Sequence, residues 1–182
     1  MSAYEDAKGK GAHLCGISTG GTLTENLTAD NYDVIITTSG LQPRAALAFS
    51  VVPMLYLLKG QGLISDSIFE DMSKTVELLH NQRNYYAAEN ADNPTYTLAK
   101  SIYTTLPIIY GTSATTSVAA LRLKGQFCEN ADMLAYHNEL PEMNHNEIVG
   151  WENNADLFKH ISVLWLTDSN DNDRVKLRQE IT

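Results

Sequence analysis

LPIIYGTSATTSVAALRLKGQFCE, residues 106–129, is the stretch on which the fold turns. Leu106 to Tyr110 is a short apolar run closed by Gly111 and a string of small hydroxyl residues. Ser117 to Glu129 then places Val118, Leu121 and Cys128 near one helical face. A strand without polar alternation is one covered on both faces, as the strands of a parallel sheet are. The pattern predicts strand, loop, helix, and similar pieces occur on both sides of it. HLCGI at 13–17 runs into Ser18-Thr19-Gly20-Gly21, and DVIIT at 33–37 is β-branched. ISVLWL at 161–166 leads through the acidic turn DSNDND into a charged helical tail, RVKLRQEIT. Residues 131–140 read as strand-like. Strands alternating with helices predict an α/β fold with largely parallel sheets flanked by helices.

Between these pieces, Ser39 to Arg44 makes a turn with Pro43 placed for a first helical turn. The following AALAFSVVPMLYLLKG is apolar nearly all round, which predicts a buried helix with a kink at Pro53. Within residues 65–89, Ile68, Met72, Val76 and Leu79 form one amphipathic stripe. The linker prediction falls on AAENADNPTY, residues 87–96, where Asn, Asp and Pro cluster. It divides the chain into 1–90 and 91–182.

Composition sets the outer bounds. A chain of 182 residues that is 43% hydrophobic can bury a core. Its 13 Lys+Arg against 22 Asp+Glu, a charge of −9, exclude a protein whose task is to hold a nucleic acid backbone. The longest apolar run, Ala45 to Leu58, is 14 residues, short of the roughly 20 that cross a bilayer, so no membrane partner is expected. The first residues carry no apolar signal segment. Cys15 and Cys128 sit in apolar sequence without CxxC spacing, which predicts neither disulfides nor a thiolate zinc site and makes a cytoplasmic location the expectation. No GxGxxG or GxxxxGK[ST] motif is present, and no nucleotide cofactor is expected. Met1 opens directly into a helical pattern and Thr182 falls inside another, so both ends read as cut.

In parallel α/β sheets ligands sit beyond the carboxyl ends of strands, which directs attention to STGG at 18–21, GLQPRAAL at 40–47 and ELPEMNHNEIVGWE at 139–152. His137, Glu139, His145 and Glu147 offer imidazole and carboxylate ligands that suit zinc, iron or manganese. Read alone, Glu129 is an exposed carboxylate at a helix end. Arg44 lies on a first helical turn, where an anion is welcome.

Taken together, GLQPRAALAFSVVPML, LPIIYGT and ALRLKGQFCENADMLAYHNELPEMNHNEIVGWE resemble the bifunctional phosphoglucose/phosphomannose isomerase family in content and order. The resemblance runs from GISTGGTL to ISVLWLTD and the RVKLR tail. It implies sugar-isomerase (SIS) domains of flavodoxin-like type that pair as homodimers: the C-terminal part of a first domain in 1–90 and most of a second in 91–182. It also implies the site residues. Glu129, in the family's ENA motif, would be the catalytic base. His145, sixteen residues later in the HN motif, would open the sugar ring from across the dimer interface. Arg44 of PRAAL, with Pro43 beside it, would meet the substrate.

The implied reaction interconverts glucose 6-phosphate or mannose 6-phosphate with fructose 6-phosphate through a cis-enediolate. It needs no metal and no cofactor, and leaves Glu147 to orient its loop. The family's SYSGNT-type phosphate loop and its C-terminal lysine have no counterpart in this sequence. The resemblance therefore implies an internal fragment of low solubility and impaired turnover. Two further readings stay open: a noncatalytic SIS module that binds sugar phosphates, and a metal-dependent sugar isomerase using His137, His145 and Glu147.

Overall fold

The computed structural model describes residues 2–87, 90 and 92–182, which pack as two compact units, Met1–Gln82 and Arg83–Thr182. The division falls somewhat before the boundary at 90 expected from sequence. Ala88, Glu89 and Ala91 of the expected linker lie outside the described residues.

In the first unit, α1 (Ser2–Gly9) precedes β1 (Cys15–Ser18), α2 (Gly21–Ala29) and β2 (Asp33–Ile36). A 3-10 turn at Pro43–Ala45 then leads into α3 (Leu47–Gly60) and α4 (Ser67–Arg83). The two strands are parallel, with Cys15 opposite Asp33 and Ser18 opposite Ile36. At Gly16 a β-carbon would meet the end of the Leu27 side chain, the buried residue through which α2 packs on the sheet, so the strand and helix approach closely there. Tyr4 is buried as well; its hydroxyl donates to Asn26 O at 3.2 Å and to Asp30, which also pairs with Lys8 at 2.5 Å.

Two expectations are corrected here. Cys15, read as apolar and interior, is exposed at the start of β1. α3 is a helix as predicted, unbroken with Pro53 inside, yet none of its residues is buried. Leu47, Phe49, Met54 and Tyr56 are 44–52% exposed. Among the described residues, α4 and the two-stranded sheet of the first unit cover only part of this helix, which is apolar all round. The stripe of α4 does face α3, with Ile68, Met72, Val76 and Leu79 lining an open groove of about 370 Å³ opposite Leu47, Val51 and Leu55. Tyr56 and Phe69 meet across the hairpin at 5.1 Å between centroids, and Lys59 pairs with Asp66 at 2.9 Å.

The second unit opens with α5 (Pro94–Ile102), which the linker reading concealed. Asn93 is buried and caps it by accepting from Thr95 N–H at 2.9 Å, and Pro94 stands in the first turn. There follow β3 (Leu106–Thr112), α6 (Ser117–Asn130), β4 (Tyr136–Leu140), α7 (Glu142–Asn146), a 3-10 turn (Ile148–Glu152), α8 (Ala155–Phe158), β5 (Ile161–Trp165) and α9 (Asp173–Ile181). The sheet is parallel in the order β4-β3-β5, with Ile108 opposite Tyr136 and Tyr110 opposite Trp165.

The central strand carries the core on both faces. Ile109 packs with Ala120, Ala135, Leu123 and Phe127 on one face, and Tyr110 with Leu140, Met143, Trp151, Trp165 and Val175 on the other. Gly111 makes the tight exit from β3 possible, since a β-carbon there would lie 2.8 Å from the Ser117 backbone. Among the described residues, no helix is long and apolar enough to cross a membrane.

Candidate active site

In the first unit the loops after β1 and β2 enclose a crevice of about 450 Å³ at the carboxyl ends of the strands. Its lining includes Ser18, Thr19, Thr37, Thr38, Ser39 and Pro43. Gly20 and Gly21 have φ of 128° and 73°, and Gly40 has 86°, a region that L side chains rarely adopt. The turns therefore stay tight. Ser18 Oγ donates to Gly20 O at 3.0 Å, and α2 begins at Gly21 without a side-chain cap. Hydroxyl donors at the start of a helix suit an anionic oxygen group. Arg44 stands on the 3-10 turn beside Pro43, half-buried, and is engaged within the chain. Sequence reading marked the STGG and PRAAL loops separately; their closure into one crevice, and the part played by Thr37 to Ser39, depend on strand pairing.

In the second unit Glu129 lies in the last turn of α6, exposed and engaged in an interaction within the chain. His145 is exposed on α7, just past the end of β4. These two are not brought together. α6 starts at the carboxyl ends of the strands, where Ser113 N–H donates to Leu140 O at 3.1 Å, and runs back along the sheet. From Ser117 to Glu129 that is about 18 Å of helix. Glu129 therefore sits at the amino ends of the strands and His145 at the carboxyl ends.

Glu147, two residues beyond His145, has well-defined surroundings. The Tyr110 hydroxyl, on the central strand, donates to Glu147 Oε2 at 2.7 Å, and Asn138 Nδ2 on β4 donates to Glu147 Oε1 at 2.7 Å. Burial, reinforced by the Glu147 carboxylate, pushes the Tyr110 phenol well above its ordinary pKa, so it stays a donor. The metal reading finds no support from these residues. His137 and Asn138 are adjacent in β4 and point to opposite faces of the sheet. His137 is thus turned from the face on which Asn138 meets Glu147. Among the described residues no three His, Cys, Asp or Glu side chains gather as metal ligands would.

One buried carboxylate escaped sequence reading. Asp171, in the loop after β5, is 4% exposed. It accepts from Thr115 Oγ1 at 2.7 Å, Thr112 Oγ1 at 3.3 Å, Gln179 Nε2 at 3.2 Å and Asp168 N–H at 3.1 Å. It ties the threonine-rich loop after β3 to α9, at the point of the sheet where open α/β folds usually hold ligands. DSNDND looked like an acidic turn because nothing local distinguishes Asp171 from its neighbours; the signal lay in the facing threonines 56 to 59 residues away.

The Thr115 bond, and after it those from Asp168, Gln179 and Thr112, hold the carboxyl below the ordinary carboxylate range. A depressed folded pKa contributes stability that is present above the unfolded value of about 4 and lost as pH falls through the folded one. Asp171→Asn is expected to lower the stability of the second unit by about 1–3 kcal/mol at neutral pH. Urea unfolding should show the difference between variant and parent shrinking below pH ~4.

Residues 91–182 match the family described as Bacterial phospho-glucose isomerase C-terminal SIS domain. The chain is 44% identical over 184 residues to the Bifunctional phosphoglucose/phosphomannose isomerase of Caldicellulosiruptor bescii, covering all of this chain and 54% of that one. It is 33% identical over 182 residues to that of Aquifex aeolicus, again with full coverage of this chain and 52% of the relative. The chain thus spans about half the length of the curated relatives it matches. A crystal structure from Clostridium difficile 630 superposes with a TM-score of 0.59 at 15% identity over 98% of this chain and 50% of that one, which shows a shared fold.

Proposed function

Because the chain belongs to the bifunctional phosphoglucose/phosphomannose isomerase family, through a bacterial phospho-glucose isomerase C-terminal SIS domain at 91–182, we propose that it serves aldose–ketose isomerisation of hexose 6-phosphates. Glucose 6-phosphate or mannose 6-phosphate would be converted to fructose 6-phosphate and back. In the open-chain aldose, Glu129 removes the C2 proton and the electron pair moves through C1–C2 onto the carbonyl oxygen, giving a cis-enediolate. The O2 hydroxyl proton passes to O1, the carbonyl reforms at C2, and Glu129 returns its proton to C1. His145 exchanges a proton with the ring oxygen or its hydroxyl to open the cyclic sugar first. Arg44 offsets the charge on the enediolate oxygens.

The observation that carries this reading is the family match, at 44% identity over the whole of this chain; Glu129 and His145 stand at opposite ends of one sheet. That placement fits a homodimer in which His145 crosses the interface to the sugar held by the Glu129 of its partner chain. No step of the reaction calls for a metal, so the rate should survive exhaustive chelation. The test is a coupled assay of fructose 6-phosphate turnover by the natural protein, with and without chelator. Turnover in both supports the reading; binding of the sugar phosphate without turnover would make the protein a binding module instead.

A further inference from the structure

His145 is presented by a helix of five residues, α7, too short to hold its own shape in water. Something outside the helix must fix it. On one side Met143 is buried among Tyr110 and Leu140, and Asn144 accepts from Arg178 of α9 at 3.1 Å, which anchors the body of the helix. On the other side stands Glu147, at the C-cap of α7, with its N–H bonded to Met143 O at 3.0 Å and each carboxylate oxygen tied to a different strand. The Tyr110 partner is 1% exposed and stacked on Trp165 at 4.8 Å, so it is itself immobile. Asn138 is fixed by Glu139 N–H donating to its Oδ1 at 2.8 Å. The end of α7 is thereby clamped to the two neighbouring strands β3 and β4 by charge-assisted bonds, the stronger kind.

We propose that Glu147, held by Tyr110 and Asn138, is a positioning residue that sets the orientation of the His145 imidazole toward the sugar ring. The inference rests on the reading of His145 as the ring-opening group. It has a consequence that a general structural role lacks: loosening the clamp should impair ring opening and leave the carbon-bound proton transfer alone.

Fructose 6-phosphate closes its ring through O5, and 5-deoxyfructose 6-phosphate cannot close. In the natural protein, Glu147→Ala is expected to lower kcat on fructose 6-phosphate roughly 10- to 100-fold, the usual cost of misplacing a catalytic group by about an ångström. Turnover of the 5-deoxy analogue should change little. Tyr110→Phe should show the same selectivity to a smaller degree. Glu147→Gln, which can accept from Asn138 through its amide oxygen and donate to the Tyr110 oxygen through its amide nitrogen but loses the charge, should restore part of the rate.

His145→Ala serves as the reference. If it lowers both substrates equally, the ring-opening reading itself fails. If His145→Ala is selective while Glu147→Ala and Tyr110→Phe lower both substrates alike, or lower neither, the positioning role is overturned.

Discussion

Glu129→Gln is expected to lower hexose 6-phosphate isomerisation by about a thousandfold or more, toward the upper end of what one general base contributes. Glutamine keeps the shape of the side chain and loses the ability to take a proton from carbon. His145 of the same chain, at the far end of the sheet, is not placed to take its part. Substrate affinity should hold within a few-fold, because the exchange keeps the size and shape of the side chain and removes only its basicity. Two measurements decide it. Exchange of the C2 proton with solvent deuterium should disappear along with turnover, and fructose 6-phosphate binding by calorimetry should persist. A variant that keeps more than about a tenth of the parent rate would remove Glu129 from the role of base.

Mixing two inactive variants tests the shared site. Glu129→Gln and His145→Ala chains, each assayed alone, should turn over cyclic substrate poorly. After co-refolding in equal amounts, half of the dimers pair one of each. In such a pair one site combines the intact Glu129 of one chain with the intact His145 of the other, so about a quarter of all sites regain full function. A gain from near zero to that level is large and has no explanation in a site built from one chain. If the mixture stays as inactive as its parts while native gels show mixed dimers, Glu129 and His145 do not serve one sugar across an interface.

Much of the fold was legible because its signals are local. The strand of Leu106–Thr112, the sharp exit at Gly111 and the helix after Ser117 follow from apolar runs and turn residues within a few positions of one another. ISVLWL was equally plain, and it is the strand β5. α5 was missed for a local reason too: Asn93 and Pro94 are turn formers and also the cap and first residue of a helix, and the linker reading took the first meaning. The apolar helix α3 was recognised as a helix but expected to be interior, since periodicity reports which side chains avoid water and says nothing of how much partner surface the fold supplies.

The candidate site divides along the same line. Which residue types are available was written in the chain: a carboxylate in ENA, an imidazole in HN, an arginine after Pro43, and hydroxyl-rich loops at strand ends. Alternation of strands and helices by itself determined a parallel α/β architecture, because hydrophobic periodicity and turn chemistry act over one or two turns of chain. Only the tertiary structure decided that Glu129 and His145 stand at opposite ends of a sheet, that Glu147 is tied to Tyr110 and Asn138, and that Asp171 is an interior anion rather than part of a solvated turn. Those facts follow from strand order and from hydrogen bonds between residues up to 59 positions apart, and no local pattern encodes which distant partner a polar side chain will meet.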